Sequence, residues 1–567
     1  MTEEEKKKNQ KGKISRRDFV KGAGLVIGGA AALGVGGITL TGCGEKKPWL
    51  PDKWDYEADV VVVGFGAAGA PAAICAHDDG AKVLVLEKMP VAGEYGSSAA
   101  TSGGYIWIPN NSYAEAAGIQ DSREDALTYL NLIAEGQADE ELILTYLDRG
   151  NEVIEYIDKN TPLVIKLSIY PDYHAEWPGG KIGARSLIPE VYKGKAGGQA
   201  LMLGLFDATQ ERNIEIMLET SGRKLVQDSE TKEILGIIAE SKGKEVYIKA
   251  RKAVILAAGG FEWNEEMVRH FLRGPTPLTT NIPNGSTGDG IKMAMDVGAD
   301  LRLMNECWGM PIFKEQFYEL TPQFNPTEDY KTIAYALLSA FISKAKPGNI
   351  MVNRYGERFY GEGFDYDTIW RSFFTWEILP HEARYRNIPA YMVFDSQCFS
   401  NYGLTFVAPP GGTLPAWVKK ADTLQELALK FGIDPDGLDE TVTRFNEYAK
   451  QLKDPDFHRG ESAYGRYQGD PSIEGPGATL APLETPPFYG AEVGVGNIGT
   501  CGGPRINRNA QVLDVFGKVI PRLYAAGNNA GVGGPGASYG GAGGTIGPAA
   551  VFGHIAGEHA AALSSWD

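Results

Sequence analysis

One unit near residue 60 constrains the fold more than any other stretch. Ala58-Asp59-Val60-Val61-Val62-Val63 is short, β-branched and apolar throughout, as in a strand buried on both faces. Gly64-Phe65-Gly66-Ala67-Ala68-Gly69 follows at once. Ala70 to His77 reads as a small-residue helix, and Lys82-Val83-Leu84-Val85-Leu86 is a second strand ending in Glu87. A glycine triplet alone says little. Set between strand and helix, with an acid 23 residues after the first glycine, it predicts a βαβ unit that binds a dinucleotide. Gly64 permits the tight turn, Gly66 lets backbone approach the pyrophosphate, and Gly69 lets helix and strand pack closely. Ala67 and Ala68 open a helix whose N-terminus faces the phosphates. Glu87 would accept from ribose hydroxyls, and Lys88 beside it is a further contact.

Two later apolar runs end in small residues: Ala253-Val254-Ile255-Leu256-Ala257-Ala258-Gly259-Gly260-Phe261 and Leu523-Tyr524-Ala525-Ala526-Gly527-Asn528. They look like the returning strands of two-dinucleotide-fold flavoproteins, in which both ends of the chain close around one FAD. On that likeness Ala258, Gly259, Gly527 and Asn528 are cofactor contacts. The stretch from Gly96 to Pro109 is rich in small residues. Its Ser98, Ser102, Gly103 and Gly104 would let backbone lie against an isoalloxazine ring. It contains no histidine, so the expected FAD is non-covalent.

Residues 1–43 read as an export signal. Ser15-Arg16-Arg17-Asp18-Phe19-Val20-Lys21 is a twin-arginine motif, and an apolar Gly/Ala-rich run extends from Gly22 to about Thr41. Leu40-Thr41-Gly42-Cys43 looks like a bacterial lipoprotein cleavage site, which would leave Cys43 lipidated and place the protein in the cell envelope. An N-terminal membrane anchor is the other reading of this run. Residues 44–51 are a linker. The formal charge of −17 argues against nucleic acid as a partner. Cys75, Cys307, Cys398 and Cys501 form no CxxC pair, so no metal site or covalent haem is read, and they are expected as buried thiols.

The chain from Tyr56 onward resembles the succinate dehydrogenase/fumarate reductase flavoprotein superfamily, and within it the 3-ketosteroid dehydrogenases, especially the Δ1 group. Tyr170-Pro171-Asp172-Tyr173, Gly183-Ala184-Arg185-Ser186 and Thr287-Gly288-Asp289-Gly290 carry the resemblance. So do Asp456-Phe457-His458-Arg459-Gly460-Glu461, Pro487-Phe488-Tyr489 and Tyr539 through Pro548. It implies further FAD contacts at Asp289, Thr545 and Ile546. It also implies that Tyr366, after Gly356-Glu357-Arg358-Phe359, is the base acting on carbon 2 of a steroid, hydrogen-bonded by Tyr173. Tyr539 and the Gly543 N–H would hold the carbon-3 ketone oxygen, and the flavin would take hydride from carbon 1.

The chemistry is self-consistent. Removing hydride beside a ketone is easier when the neighbouring C–H loses its proton and the carbonyl becomes enolate-like, which needs donors at the oxygen and a base in reach. Phenols in these roles suit a neutral ketone, whereas arginines and histidines would suit a carboxylate. An isolated tyrosine titrates near 10, so Tyr366 would need help, for which Tyr173 is the candidate. The chain departs from the family at His174, where a second tyrosine can stand, and His174 reads as a surface imidazole. It departs again at Gly540-Gly541-Ala542-Gly543, where proline-containing versions are common, and at Gly96-Ser97, where Gly-Gly stands.

The rival reading is an exported respiratory ene-reductase of the fumarate reductase type acting on another unsaturated substrate. Tyrosine at 366, where those enzymes use arginine, argues against fumarate but leaves the direction of reaction open. Gly536-Ala537-Ser538-Tyr539-Gly540 matches GxSxG, but no separate acid strand remains downstream for a hydrolase. Electrons would pass to or from a quinone or a partner protein.

The expected fold class is α/β: a two-domain flavoprotein with a Rossmann-like FAD-binding domain over 52–312 and 486–567, and an inserted α+β capping domain over 313–485. Phe313, Phe317, Trp370, Phe373 and Phe374 are candidates for an apolar steroid slot or for core.

Overall fold

The computed structural model describes residues 50–137, 139–325, 331–531 and 539–567. The twin-arginine motif, the apolar run, Cys43 and most of the linker lie outside the described residues, as does Ser538. The first sheet begins with β1 (Tyr56–Val63), β2 (Val83–Leu86), β3 (Glu215–Met217), β4 (Thr220–Gln227), β5 (Ile234–Ser241) and β6 (Lys244–Leu256). A second sheet follows: β7 (Leu278–Thr279), β8 (Cys307–Phe313), β9 (Asn349–Asn353), β10 (Ala390–Asp395), β11 (Lys419–Ala421) and β12 (Phe488–Thr500). The chain then returns to the first sheet with β13 (Gln511–Leu513) and β14 (Val519–Ala525). The helices that bear on the site are α1 (Gly69–Asp78), α2 (Ser98–Thr101), α3 (Arg123–Ala134), α4 (Asp289–Asp296), α5 (Lys331–Leu337), α6 (Ser339–Ser343), α7 (Tyr366–Ser372), α8 (Ala463–Gln468) and α9 (Ile546–Ala561).

The first sheet runs β13-β14-β6-β1-β2-β3, with β5 antiparallel on β6 and β4 on β5. From β14 to β3 the pairing is parallel, and Val254 lies opposite both Val61 and Leu523. Val60, Val61 and Val62 are fully buried, as a parallel sheet covered on both faces requires. Each buried valine contributes roughly 1.5–3 kcal/mol. The strand read over 253–261 stops at Leu256, and the chain turns away through Gly259, at φ +75°. The carboxyl ends of β1, β6 and β14 therefore open on one edge, where ligands of such sheets bind.

Helix α9 lies along α1 because both present small residues. A Cβ on Gly553 would stand 2.2 Å from the Ala68 carbonyl oxygen, and one on Gly557 would stand 2.4 Å from that of Ala72. The end of the chain is thus fastened to its first dinucleotide unit. The second sheet is organised on β12, which pairs with β7, β8, β10 and β11. This sheet draws strands from both sides of positions 312 and 486, and both sheets belong to one compact body, Trp49–Asp567.

Candidate active site

A cavity of about 680 Å³ starts at the open edge of the first sheet and ends among tyrosines. Its wall includes Gly64, Gly66, Ala67, Ala68, Glu87 and Lys88 from the first unit, and Ser98, Ser102, Gly103 and Gly104 from the small-residue stretch. Ala258, Gly259, Asp289, Gly527, Asn528, Thr545 and Ile546 complete its dinucleotide end. Gly69 is set back from it, because a Cβ there would lie 1.9 Å from the Gly64 carbonyl oxygen. A Cβ on Gly66 would meet nothing within 4 Å. The space in front of Gly66 is open to a ligand, whereas Gly69 is required by the turn itself.

The donors suit a dinucleotide. α1 and α9 both begin without a side-chain cap, at Ala68 and Thr545, and these two residues line the cavity, so the positive ends of both helix dipoles face it, as a phosphate requires. Glu87 accepts from Phe65 N and Met89 N, each at 2.8 Å, and a carboxylate keeps further lone pairs for hydroxyls. Burial lifts its pKa, partly offset by those bonds. Lys88 Nζ donates to Thr287 Oγ1 at 2.7 Å and Asp289 Oδ2 at 2.9 Å. Burial alone would raise Asp289, but the Lys88 charge and hydrogen bonds hold it below the usual carboxylate range.

At the other end the Tyr173 and Tyr366 hydroxyl oxygens lie 3.1 Å apart. The Tyr539 ring stacks on Tyr173 with centroids 5.3 Å apart and stands 5.5 Å from Tyr366. All three are buried, and Gly543 lines the same wall. The Tyr539 hydroxyl lies 3.3 Å from Thr545 Oγ1. Tyr366 is the first residue of α7, where the Asp365 side chain accepts from Asp367 N at 3.0 Å and Thr368 N at 2.9 Å. That cap fixes the first turn and so the phenol. Burial pushes Tyr366 and Tyr173 well above the ordinary tyrosine value; the neighbouring phenols push Tyr366 the same way, while at Tyr173 the hydrogen bond to Tyr366 opposes the rise. Burial also raises Tyr539, against the hydrogen bonds of Thr545 and Tyr366. Among the described residues no arginine or histidine lines the cavity. Either hydroxyl of the Tyr173–Tyr366 pair can donate, but once Tyr366 is ionised Tyr173 must be the donor.

Two buried ion networks hold the segments that carry these phenols. Arg185 Nη1 donates to Asp172 Oδ2 at 2.9 Å, and Trp107 Nε1 donates to Asp172 Oδ1 at 2.8 Å. Asp172 immediately precedes Tyr173. Burial lifts it to about 6, against the pull of Arg185 and Trp107. Before α7, Arg358 bridges Glu362 at 2.7 Å and Asp454 at 2.8 Å, and Arg459 reaches Glu362 at 3.1 Å. Three strings that carried the sequence resemblance, the ones containing Asp172, Arg185 and Arg459, therefore supply these networks together with Arg358 of Gly356-Glu357-Arg358-Phe359.

A family model of the FAD binding domain matches residues 59–545. The chain belongs to this flavoprotein family. A 3-oxosteroid 1-dehydrogenase of Mycobacterium tuberculosis is 35% identical over 582 residues, covering 89% of this chain and 98% of that one. A 4-oxocyclohexanecarboxylate 2-dehydrogenase of Sinomonas cyclohexanicum is 33% identical, covering 88% and 92%. The structure of a 3-ketosteroid Δ1-dehydrogenase from Sterolibacterium denitrificans, in complex with 1,4-androstadiene-3,17-dione, superposes with a TM-score of 0.78 at 32% identity, covering 89% and 99%. This flavoprotein is thus an FAD-dependent oxidoreductase in the family of the 3-oxosteroid 1-dehydrogenases, enzymes that act on CH–CH bonds.

The flavoprotein differs from the sequence reading in two respects. His174 is not a surface imidazole: its side chain is 11% exposed, stacks on Trp177 at 4.1 Å and faces Asp365 at 3.7 Å. Of the two readings of Phe313, Phe317, Trp370, Phe373 and Phe374, core is the one the fold bears out: they pack in core clusters and do not line the cavity. The apolar wall comes instead from Ala334, Tyr335, Leu338, Phe341 and Ile342 of α5 and α6 and their junction, with Met310 and Ile498. The second difference is α8, which the sequence reading passed over. Its Tyr464 ring packs 4.5 Å from Tyr173, while Tyr467 and Gln468 line the cavity. The signal for α8 was there: Ala463-Tyr464-Gly465-Arg466-Tyr467-Gln468 sets the three side chains at i, i+3 and i+4, on one helix face.

Proposed function

We propose that this flavoprotein introduces a carbon–carbon double bond beside the ring ketone of a 3-oxosteroid, as a 3-oxosteroid 1-dehydrogenase. The observation that carries the reading is the wall of three buried phenols with Gly543 in a cavity that, among the described residues, no arginine or histidine lines. Such a wall suits a neutral ketone and offers nothing to balance a dicarboxylate. The ring ketone named in both relatives agrees with it.

In this account the substrate ketone oxygen accepts from Tyr539 O–H and Gly543 N–H, worth a factor of roughly 10²–10³ per donor. The charge drawn onto that oxygen acidifies the carbon-2 C–H. Tyr366 takes that proton, and Tyr173 holds the oxygen of Tyr366 in its ionised form. The phenol wall keeps water from the developing enolate. The Gly64–Gly69 turn, Glu87, Lys88 and the starts of α1 and α9 would hold FAD, which would supply the acceptor for the carbon-1 hydride. The reverse reaction on an enone is the second reading. It is favoured by the elevated pKa of Tyr366, which keeps a proton ready to give. Anaerobic assays with androst-4-ene-3,17-dione and with its 1,4-diene, using acceptor and donor dyes and product mass, distinguish the two. Inertness toward both steroids would defeat the assignment.

The FAD is held non-covalently, so acid should release it from the denatured chain. A capping part over 313–485 covers an FAD-binding part over 52–312 and 486–567, with one join at the end of β8 and the other just before β12. Arg16-Arg17 direct export and Cys43 takes a lipid, leaving the enzyme at the cell envelope with a quinone or electron-transfer protein as partner. Replacing both arginines by lysine should trap it in the cytoplasm, and Cys43→Ala should abolish lipid labelling.

A further inference from the structure

The base pair and the carbonyl clamp come from distant parts of the chain, yet one hydroxyl joins them. Helix α3 turns Ala126, Tyr129, Leu130 and Ile133 inward, a stripe that reads as ordinary core. Tyr129 is fully buried, and its O–H donates to the Gly540 carbonyl at 2.6 Å. The same carbonyl accepts from Tyr173 N at 3.1 Å. His174 N donates back to the Tyr129 oxygen at 3.2 Å. A closed ring of hydrogen bonds thus runs from Tyr129 to the residue after Tyr539, on to Tyr173, and through His174 back to Tyr129. The loop lies close on this floor: a Cβ on Gly540 would stand 2.8 Å from the Ile133 side chain.

We propose that the Tyr129 hydroxyl is a positioning device for catalysis: it sets the spacing between the Tyr366–Tyr173 pair and the Tyr539–Gly543 clamp. The inference rests on the ketone-site reading above. The ring and the hydroxyl have separable tasks. The ring lies under the Arg185 guanidinium, 5.4 Å from its centroid, and helps to hold the Asp172 network. The hydroxyl adds a second tie between the two loops, beside the direct bond from Tyr173 N to the Gly540 carbonyl. Without it the buried Gly540 carbonyl keeps one donor, but the His174 amide loses its acceptor, so the segment carrying Tyr173 has reason to move. A displacement of about 1 Å between base and clamp is enough to cost roughly 10²-fold in rate.

Tyr129→Phe in the flavin-loaded full chain tests this, because it keeps the ring and removes the hydroxyl. Turnover of a 3-ketosteroid should fall roughly 10–100-fold. KM, flavin content and the thermal transition should stay within error of the parent. Added to Tyr366→Phe, the change should have almost no further effect, since residues that act as one unit are not additive. Turnover within twofold of the parent, with Tyr366→Phe inactive, would overturn the proposal and leave the ketone-site reading standing. Loss of flavin, or a lowered thermal transition that accounts for the lost activity, would make Tyr129 a stability residue only and also overturn it. An active Tyr366→Phe would instead refute the underlying reading.

Discussion

Tyr173 and Tyr366 are 193 residues apart in the chain, and their hydroxyl oxygens are 3.1 Å apart in the fold. Burial holds both phenols well above the ordinary tyrosine value. The resting site is therefore neutral. Proton abstraction runs through the minor fraction of enzyme in which Tyr366 has given up its proton, and it draws on the acidity that the clamp induces in the substrate.

The sign of the pH dependence follows from that pair. A base works only when deprotonated, and an acid only when protonated. With Tyr366 raised above about 10, dehydrogenation should keep climbing with pH through the range from about 7 to 10. Reduction of the corresponding enone should be flat over the same range. Initial rates in both directions, at saturating steroid, check this. A plateau of dehydrogenation near neutral pH would show that another group is the base.

Tyr539→Phe removes one of two donors to the ketone oxygen and should lower turnover by roughly 10²–10³. Tyr173→Phe should cost less, because it acts only through Tyr366. Steady-state kinetics on both variants, with steroid affinity measured separately, should place the losses in kcat with binding little changed.

The first dinucleotide unit was legible because it is local: strand, turn and helix follow each other in one short stretch, and alternatives fail on the pattern alone. The phenol cluster was readable only through the resemblance, since nothing in the spacing of Tyr173, Tyr366 and Tyr539 brings them together. His174 was misplaced, and Phe313 and its fellow aromatics were left open between slot and core, for a related reason. Whether a polar ring meets Asp365 or water, and whether a phenylalanine faces core or cavity, depends on packing between elements far apart in sequence. Tyr129 was invisible for the opposite reason: its helical stripe looks fully explained by burial.

Two neighbouring glycines should separate folding from cofactor binding. A Cβ on Gly66 meets nothing within 4 Å, so Gly66→Ala should leave the flavin-free thermal transition unchanged yet weaken FAD binding at least about tenfold. A Cβ on Gly69 collides with the Gly64 carbonyl at 1.9 Å, so Gly69→Ala should lower both. Flavin titration and differential scanning calorimetry distinguish the two.

Arg358 neutralises two buried carboxylates. Burial alone would raise Glu362, but Arg358 and Arg459 hold it below the usual carboxylate range. Arg358→Met should cost about 3–5 kcal/mol, because it leaves buried charge uncompensated. Without the arginine the Glu362 pKa must rise. Its protonation then relieves the variant, so the stability gap to the parent should narrow as pH falls from 7 toward 5. Denaturant unfolding at several pH values measures this, and a gap independent of pH would contradict it.

The central claim is that Tyr366 exchanges a proton with the carbon beside the substrate ketone. It is tested most directly by holding the flavin-loaded enzyme with a 3-ketosteroid in deuterated water, without an electron acceptor, and reading the steroid by mass spectrometry. The account predicts deuterium entering beside the ketone with the parent enzyme. It predicts no such exchange with Tyr366→Phe, whose turnover should also fall by roughly 10²–10⁴. Unchanged exchange and turnover in Tyr366→Phe would contradict it.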